Sequence, residues 1–205
     1  LLAIARHDAR EVVSDQTFFN AATESVSDTL DCVRVGIWLF DATDSLAQLA
    51  NRFDARGRAH SSGQQLARSD FPNYFEALES ERSVAADNAS THAATREFAD
   101  RYFEAFDIAS VLDAPLRSGS RVMGFISCEH VGPQRRWSQD EEVFVASMAD
   151  VISQHVERGR RHRSEQLLLD SQARYKNPFQ AAPIPLWEED WSQVRIALNR
   201  VSHDT

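Results

Sequence analysis

The sequence has few of the residues that build disulfide-bonded or metal-stabilised folds. Only two of its 205 residues are cysteines, Cys32 and Cys128, and their spacing matches neither a disulfide framework nor a zinc site. The seven histidines form no metal-ligand spacing either. We therefore expect no metal site. Because disulfides are rare in reducing compartments, we also expect a cytoplasmic protein.

Long apolar runs and excess positive charge are also missing. No stretch approaches the roughly 18 apolar residues that span a bilayer, so we expect no membrane-spanning segment in this sequence. The formal net charge is -9, which argues against nucleic acid as a partner, because phosphate binding requires a basic surface. The one basic cluster, Arg158 to Arg163, lacks interleaved aromatic residues and indicates a solvated helix. The absence of an initial methionine and of a secretion signal favours a fragment of a longer protein.

The clearest signal that is present predicts a β-hairpin. Two apolar runs, Val111 to Arg117 and Arg121 to Val131, flank a Ser-Gly-Ser turn. Proline cannot donate to a strand ladder, so Pro115 predicts an irregularity or a free edge. Side chains alternate along a strand, and one face of the second run should carry Val122, Gly124, Ile126 and Cys128 and the other Met123, Phe125, Ser127 and Glu129.

The first 68 residues predict helix followed by strands. We expect a short helix, a break near Ser14 or Asp15, and a second helix that ends near Leu30. The β-branched and aromatic runs Val33 to Asp41 and Ser45 to Phe53 predict a second hairpin. The polar residues that follow, 54–68, predict a loop with at most one short edge strand.

Two further helices and a short strand are predicted between the hairpins. Asp70 and Pro72 indicate the capped start of a helix that ends near Glu81, and Ser83 to Asp87 favours a strand. A second helix from Thr95 would present the aromatic face Phe98, Tyr102, Phe103 and Phe106, and this pattern favours ordinary core over a cofactor-binding face.

The last long helix is predicted to begin with a capping box. In Ser138-Gln-Asp-Glu141 the first and last side chains can satisfy each other's free backbone N–H groups. Apolar residues then continue at helical spacing toward Arg174. The predicted apolar face contains Phe144, Met148, Val151, Ile152 and His155.

These patterns together resemble a GAF domain. The segment LDAP, a turn, GFISCEHVGP, a tryptophan and the helix opening SQDE carry the resemblance, with FPNYFEALESERSVAADNAS upstream. The similarity runs from about Val12 to Val156. It implies an α+β fold (an α/β sandwich) with a mainly antiparallel sheet of five or six strands. Terminal helices would cover one face of that sheet, and a helix and loop lid from Asp70 to Phe106 the other.

The same resemblance implies a domain order and a role. Residues 1–157 would form a sensor domain, residues 158–174 a helical signalling linker, and residues 175–205 the incomplete start of a PAS-like segment, since Arg174 to Ser192 is similar to the opening of a PAS domain. The role implied is the regulatory input of a bacterial signal-transduction protein, as in two-component systems. A kinase or diguanylate cyclase domain would follow in the same chain.

A small-molecule site is predicted between the sheet and the lid. Such sites combine apolar walls with a few polar orienting groups. The expected walls are Ile37, Leu39, Phe71, Tyr74, Phe75, Phe98, Tyr102, Leu112 and Phe125, and the expected polar groups are Asp113, Ser127 and Glu129.

The ligand itself stays undetermined at this stage. GAF domains that hold a bilin covalently use a cysteine near the pocket, and this sequence has none between Val33 and Arg121. Members that bind cyclic nucleotides often carry an Asn-Lys pair where Glu129 and His130 stand here, so the resemblance does not extend to that motif. The seven glycines are dispersed and form no phosphate loop.

Three functions remain open. The first, which we expect, is a non-enzymatic sensor. The second is a dimerisation module without a ligand, and the third is an enzyme that acts through Cys128 with His130 nearby. A parallel homodimer through the terminal helices is expected in either non-enzymatic case, because the last helix is apolar on more than one side. Its expected seam is Val145, Met148, Ile152, His155, Gly159, His162, Gln166 and Leu169.

Overall fold

The computed structural model describes the backbone of residues 2–181 and the side chains of residues 15–172. Two compact units divide the chain, Leu1–Arg161 and His162–Thr205. The sheet and both hydrophobic cores belong to the first unit. Most of the predicted PAS-like segment lies outside the described residues. No helix within the described part of the chain is long and apolar enough to cross a membrane.

The order of elements follows the predicted one with added irregular turns. Four helices and seven strands make up the described chain. They are α1 (Leu2–Leu30), β1 (Arg34–Phe40), β2 (Leu46–Asp54), β3 (Ala59–Ser61), β4 (Gln65–Ala67), α2 (Pro72–Ser80), β5 (Val84–Ala86), α3 (Glu104–Phe106), β6 (Ile108–Ser118), β7 (Arg121–Val131) and α4 (Gln139–Ala181). Short 3-10 and π turns occupy Arg96–Phe98 and Ala99–Phe103.

All strand pairs in the sheet are antiparallel. The strand order is β3-β2-β1-β7-β6-β5, and β4 pairs with the other end of β2. This arrangement confirms the predicted α+β class and both predicted hairpins. The number of strands is seven rather than five or six, because residues 54–68 form two short strands against β2 where at most one was expected.

The sheet separates two hydrophobic layers, as predicted. On one face α1 and the first part of α4 form a helix layer, in which Val26, Ile126 and Ile152 are buried together. On the other face lies the lid, residues 71–83 and 87–106 on either side of the edge strand β5, whose aromatic side chains pack on Trp38 and Phe125 of the sheet. Each face of the sheet is therefore covered, which explains why the central strands are apolar on both sides.

The central hairpin departs from regular pairing at two positions, at Ala109 and at Met123, and the second changes which faces the side chains of β7 meet. Leu116 pairs with Gly124 and Arg117 with Val122, so Met123 has no partner and forms a bulge. Val122 consequently packs with the lid and Met123 with the helix layer, which reverses the predicted faces of these two residues. Pro115 lies beyond the last residue that pairs with β5, so its missing N–H faces a free edge of β6, as expected.

Two predictions for the helices near the termini are corrected. The break predicted near Ser14 or Asp15 is absent, and α1 is continuous. Asp15 does not cap a new helix. Its carboxylate instead lies 2.8 Å from the Nε2 atom of His155 on α4. On α4, Ile152 is buried in the helix layer, whereas Val151 is 48% exposed and does not belong to the buried face that was predicted.

Capping at α2 and in the lid also differs from expectation, while the capping box of α4 is confirmed. The backbone N–H groups of Asn73 and Tyr74 donate to the carboxylate of Glu97, at 3.3 and 3.2 Å, instead of to Asp70. The region from Thr95 to Phe106 forms successive short turns rather than one helix. At α4, Ser138 N–H donates to Glu141 at 2.8 Å and Glu141 N–H donates to Ser138 at 3.3 Å.

Candidate functional site

A cavity of about 170 Å³ lies between the lid and the face of the sheet formed by β1, β6 and β7. Its wall is rich in aromatic side chains because the lid contributes one from almost every turn. They are Trp38, Phe71, Tyr74, Phe98, Tyr102, Phe103 and Phe125. The remaining wall includes the polar side chains Gln64, Thr95, Arg101, Asp113, Ser127 and Glu129.

The aromatic rings form an interlocked frame. Phe71 stacks on Phe98 with centroids 4.0 Å apart and planes at 7°. Tyr74 meets Phe98 and Phe125 edge to face, at 4.9 and 5.5 Å. Trp38 stacks on Phe125 at 5.7 Å. Edge-to-face and offset contacts of this kind are favourable beyond simple burial, so the rings stabilise one another around the cavity.

Two hydrogen bonds from tyrosines of the lid hold it to the sheet, and we call them the tyrosine latches. The hydroxyl of Tyr74 on α2 donates to Asp113 Oδ2 of β6 at 2.5 Å. The hydroxyl of Tyr102 donates to Glu129 Oε1 of β7 at 2.9 Å. Burial raises the pKa of both tyrosines, so both remain protonated donors.

Asp113 is a buried carboxylate that pairs with no cation among the residues whose side chains the structure describes. It is 3% exposed, and its Oδ1 atom accepts no hydrogen bond from the described residues. Burial raises the pKa of this carboxyl to about 7, although hydrogen bonding from Tyr74, Ser127 and the backbone of Cys128 lowers it. A group with that pKa changes its charge near neutral pH.

Glu129 is the carboxylate that has cationic neighbours. Arg34 Nε lies 3.3 Å from its Oε2 atom. The guanidinium groups of Arg34 and Arg52 lie 5.4 and 5.9 Å from the ring centroid of Tyr102, the tyrosine whose hydroxyl donates to Glu129. Burial raises the pKa of Glu129, while the two arginines lower it. Arg52 also donates to Gln64 at 3.0 Å, which links this cluster to the cavity wall.

The structure places eight of the twelve predicted site residues in the cavity wall. They are Phe71, Tyr74, Phe98, Tyr102, Asp113, Phe125, Ser127 and Glu129. Four others lie elsewhere: Ile37 and Leu112 are buried in the helix layer, Leu39 packs against that layer, and Phe75 is in the lid core without lining the cavity. Binding of a ligand by the eight residues stays a prediction.

The misplaced residues have a physical cause. Neighbouring side chains of a strand point to opposite faces, so Leu112 cannot share a face with Asp113, and Ile37 cannot share one with Trp38. Period-two spacing from Asp113 would have found Val111, which does line the cavity. Trp38 is placed there by its pairing with Phe125, which no local pattern reveals. Arg101 and Phe103 were missed because the lid follows irregular turns.

Thiol and metal chemistry find little support in this arrangement. Cys128 is fully buried on the helix-layer side of the sheet, and burial raises the pKa of its thiol well above the usual value. Burial likewise raises the pKa of Cys32 to about 12. A nucleophilic cysteine needs access and a lowered pKa, and neither thiol has them. Among the residues that the structure describes, no three His, Cys, Asp or Glu side chains are grouped to hold a metal ion.

Comparisons with known proteins agree on the fold. The family model of the GAF domain matches residues 15–156. The blue-light absorbing form of the PixJ GAF domain from Thermosynechococcus elongatus is 18% identical, with a TM-score of 0.62 over 78% of this chain and 94% of that one. A domain assigned to a two-component sensor histidine kinase from Sinorhizobium meliloti 1021 is 16% identical, with a TM-score of 0.56 over 74% and 97%.

A third similar structure comes from a different class of protein. The GAF domain of a phosphoenolpyruvate-protein phosphotransferase from Acinetobacter is 19% identical, with a TM-score of 0.55 over 80% of this chain and 96% of that one. At such identities the likeness concerns the fold alone. The search of curated proteins finds no match.

Proposed function

The chain belongs to the GAF domain family, and from that premise we propose that it is the input domain of a bacterial, cytoplasmic signalling protein. It binds a small molecule in the cavity beneath the lid and passes the change to a kinase or cyclase domain through its C-terminal helix. GAF domains are in general regulatory rather than catalytic, which supports a sensory role and the absence of an enzymatic one.

The observation that carries the proposal is the polar chemistry around an apolar cavity. Seven buried side-chain atoms among the described residues lack a hydrogen-bond partner. Two of them belong to residues of the cavity wall, Asp113 Oδ1 and Glu129 Oε2, and the second lies 3.3 Å from Arg34 Nε. Buried polar atoms without partners are rare in folded proteins, so the unpartnered Asp113 Oδ1 atom in the wall of an apolar cavity indicates a position where a ligand can supply a donor.

The strands that face the cavity also contact the helix layer, which supports a relay. Asp113 faces the lid, while its neighbour Leu112 is buried against α1 and α4. Arg117 N–H at the end of β6 donates to the Ser153 hydroxyl on α4 at 2.9 Å. The Ser83 hydroxyl, next to β5, donates to Glu142 near the start of α4 at 2.8 Å. A shift of β5 or β6 on ligand binding would therefore displace polar contacts of α4.

A screen of metabolites by thermal unfolding tests the proposal. A ligand present at about one hundred times its dissociation constant adds about 2.7 kcal/mol to the free energy of unfolding, and the melting temperature should rise accordingly. Ser127→Phe is the matched control, because it fills the cavity from a residue of its floor. A metabolite that stabilises both proteins equally binds elsewhere, and a broad panel without any hit contradicts the ligand-binding role.

A dimerisation role is the second candidate, and one observation favours it. Leu167, Leu168 and Leu169 of α4 are 61, 61 and 64% exposed, and three adjacent exposed leucines are typical of an interaction surface. The predicted seam is corrected, because Val145 and Ile152 are buried against the sheet of their own chain and cannot meet a second copy. The homodimer itself stays a prediction.

Light scattering on the whole chain tests the dimer. We expect twice the chain mass of 23.1 kDa at micromolar concentration. Replacing Leu167, Leu168 and Leu169 together by glutamine should return the mass to that of one chain, whereas Val151→Gln, at a separate exposed apolar position of α4, should leave it unchanged. A monomeric unmodified chain would disprove this candidate.

A further inference from the structure

We propose that the ligand of this cavity is a small organic cation, a protonated amine on a ring-sized apolar body, with Asp113 as its counter-ion. The inference rests on the proposed function, because it names the ligand class of the same cavity. It is carried by the position of one carboxylate, by the aromatic frame and by the size of the space.

Asp113 is built into the cavity wall without a cationic partner. The donors near it are uncharged: the Tyr74 hydroxyl donates to Oδ2 at 2.5 Å, and the Ser127 hydroxyl and the Cys128 N–H act on the carboxylate more weakly. The second oxygen is buried and unpartnered. A buried carboxylate is costly unless a cation or several donors compensate it, and an ammonium group in the cavity would supply both charge and N–H donors.

The aromatic frame suits the same ligand. Trp38, Tyr74, Phe98 and Phe125 line the space next to Asp113, and organic cations bind to the faces of such rings. The volume of about 170 Å³ is close to that of the roughly 150 Å³ apolar cavity known to hold benzene. A single ring or a branched chain with one amino group fits that size.

The charged side chains around the cavity favour a cationic over an anionic ligand beside Asp113. Glu129 is already matched by Arg34 and influenced by Arg52, neither of which lines the cavity. Asp113 forms no ion pair with a basic side chain among the described residues. The arginine that does line the cavity, Arg101, is exposed. An anionic ligand placed beside Asp113 would face like charge, and the cation of the wall, Arg101, is exposed to solvent that screens its charge.

Binding of a cation to Asp113 is coupled to pH. Burial raises the pKa of Asp113 to about 7, and the titratable groups that face it are Tyr74 from α2 and Glu129 from β7, while the Cys128 thiol lies on the opposite face of the sheet. The neighbouring strand β5 contributes only the uncharged Val84. The cation prefers the ionised carboxylate, so affinity rises as the pH rises through the pKa of the free protein. Between pH 6 and pH 8 the ionised fraction, and with it the affinity, increases about tenfold.

Calorimetric titration of the whole chain with three probes of equal shape tests the inference. Benzylamine is a cation over this pH range, benzyl alcohol is neutral and benzoate is an anion. We expect benzylamine to bind at least about tenfold more tightly than the other two at pH 8, since only it supplies the missing charge. Its affinity should fall about tenfold at pH 6, while that of benzyl alcohol should not change.

Variants separate the charge of Asp113 from its shape. Asp113→Asn keeps an acceptor for the Tyr74 hydroxyl and should lose at least about tenfold in benzylamine affinity, together with its pH dependence. Asp100→Asn removes an exposed carboxylate of the lid and should bind like the unmodified protein. Should Asp113→Asn fail to fold, Tyr74→Phe serves instead: it removes a hydrogen bond that lowers the pKa of Asp113, so the pH midpoint of benzylamine binding should move upward.

The outcomes distinguish this inference from the proposed function. Tighter binding of benzyl alcohol or benzoate than of benzylamine overturns the cation and leaves a ligand-binding cavity intact. Failure of all three probes, or undiminished benzylamine binding by Asp113→Asn, also overturns the cation. The proposed function fails separately, if the metabolite panel gives no hit that Ser127→Phe abolishes.

Discussion

Gly124→Ala should lower the free energy of unfolding by about 3 kcal/mol or more, because the added methyl group has no space. A Cβ atom at this position would lie 2.0 Å from the backbone oxygen of Trp38 and 3.0 Å from the Cα atom of Leu39. Both neighbours belong to the backbone of β1, in the middle of the sheet. They can move only if the ladder between β1 and β7 opens, and that ladder also positions Trp38 and Phe125 in the cavity wall.

Urea unfolding followed by circular dichroism measures this effect. Gly57→Ala is the matched control, because the nearest atom to its added Cβ is Ala59 Cβ at 3.9 Å, an ordinary contact. Its free energy of unfolding should be unchanged or slightly higher, since alanine reduces the entropy of the unfolded chain. Equal stability of the two variants would show that β1 and β7 are not packed as closely as described.

Ile152→Ala should cost about 2 to 5 kcal/mol of stability, the usual range for a large apolar side chain deleted from a core. Ile152 is fully buried in the helix layer, where it packs with residues of α1 and of the sheet. Its neighbour Val151 is 48% exposed, so Val151→Ala should change stability by less than about 0.5 kcal/mol. The two substitutions are adjacent in sequence and differ in which face of α4 they alter.

Thermal or urea unfolding of both variants gives the comparison. A large loss for Ile152→Ala together with a small one for Val151→Ala would establish that the first part of α4 is integral to the domain, as a relay through this helix requires. If both variants lost little, α4 would be only loosely attached, and a change in the cavity could not reach it through packed contacts.

Local chemistry explains why several elements could be predicted without tertiary information. The capping box of Ser138 and Glu141 lies within one turn of helix, so the residues that form it are also the residues that reveal it. The central hairpin is similar, because the Ser-Gly-Ser turn and its flanking β-rich runs are adjacent in sequence. Likewise, the apolar spacing that resembles a GAF domain runs along much of the matched range, residues 15–156.

The residues that line the cavity were only partly predictable, because the sequence did not show which face of each central strand meets the lid. Asp113, Ser127 and Glu129 stand out as polar residues at the end of apolar strands, and all three line the cavity. For an apolar strand covered on both faces, alternation shows which residues share a face but not which face meets the lid. Ile37 was therefore expected in the wall, whereas Trp38 occupies it.

The sequence by itself determined the family, the α+β class, most strands and helices, and the polar residues of the central hairpin, because each depends on neighbours within a few residues. Only the tertiary structure decided the contacts between distant residues: the cap of α2 by Glu97, the bulge at Met123 and the two tyrosine latches. It also decided that Glu129 has arginine neighbours while Asp113 has none. Such pairings depend on strand register and on burial, which bring together groups that no local pattern of side chains specifies.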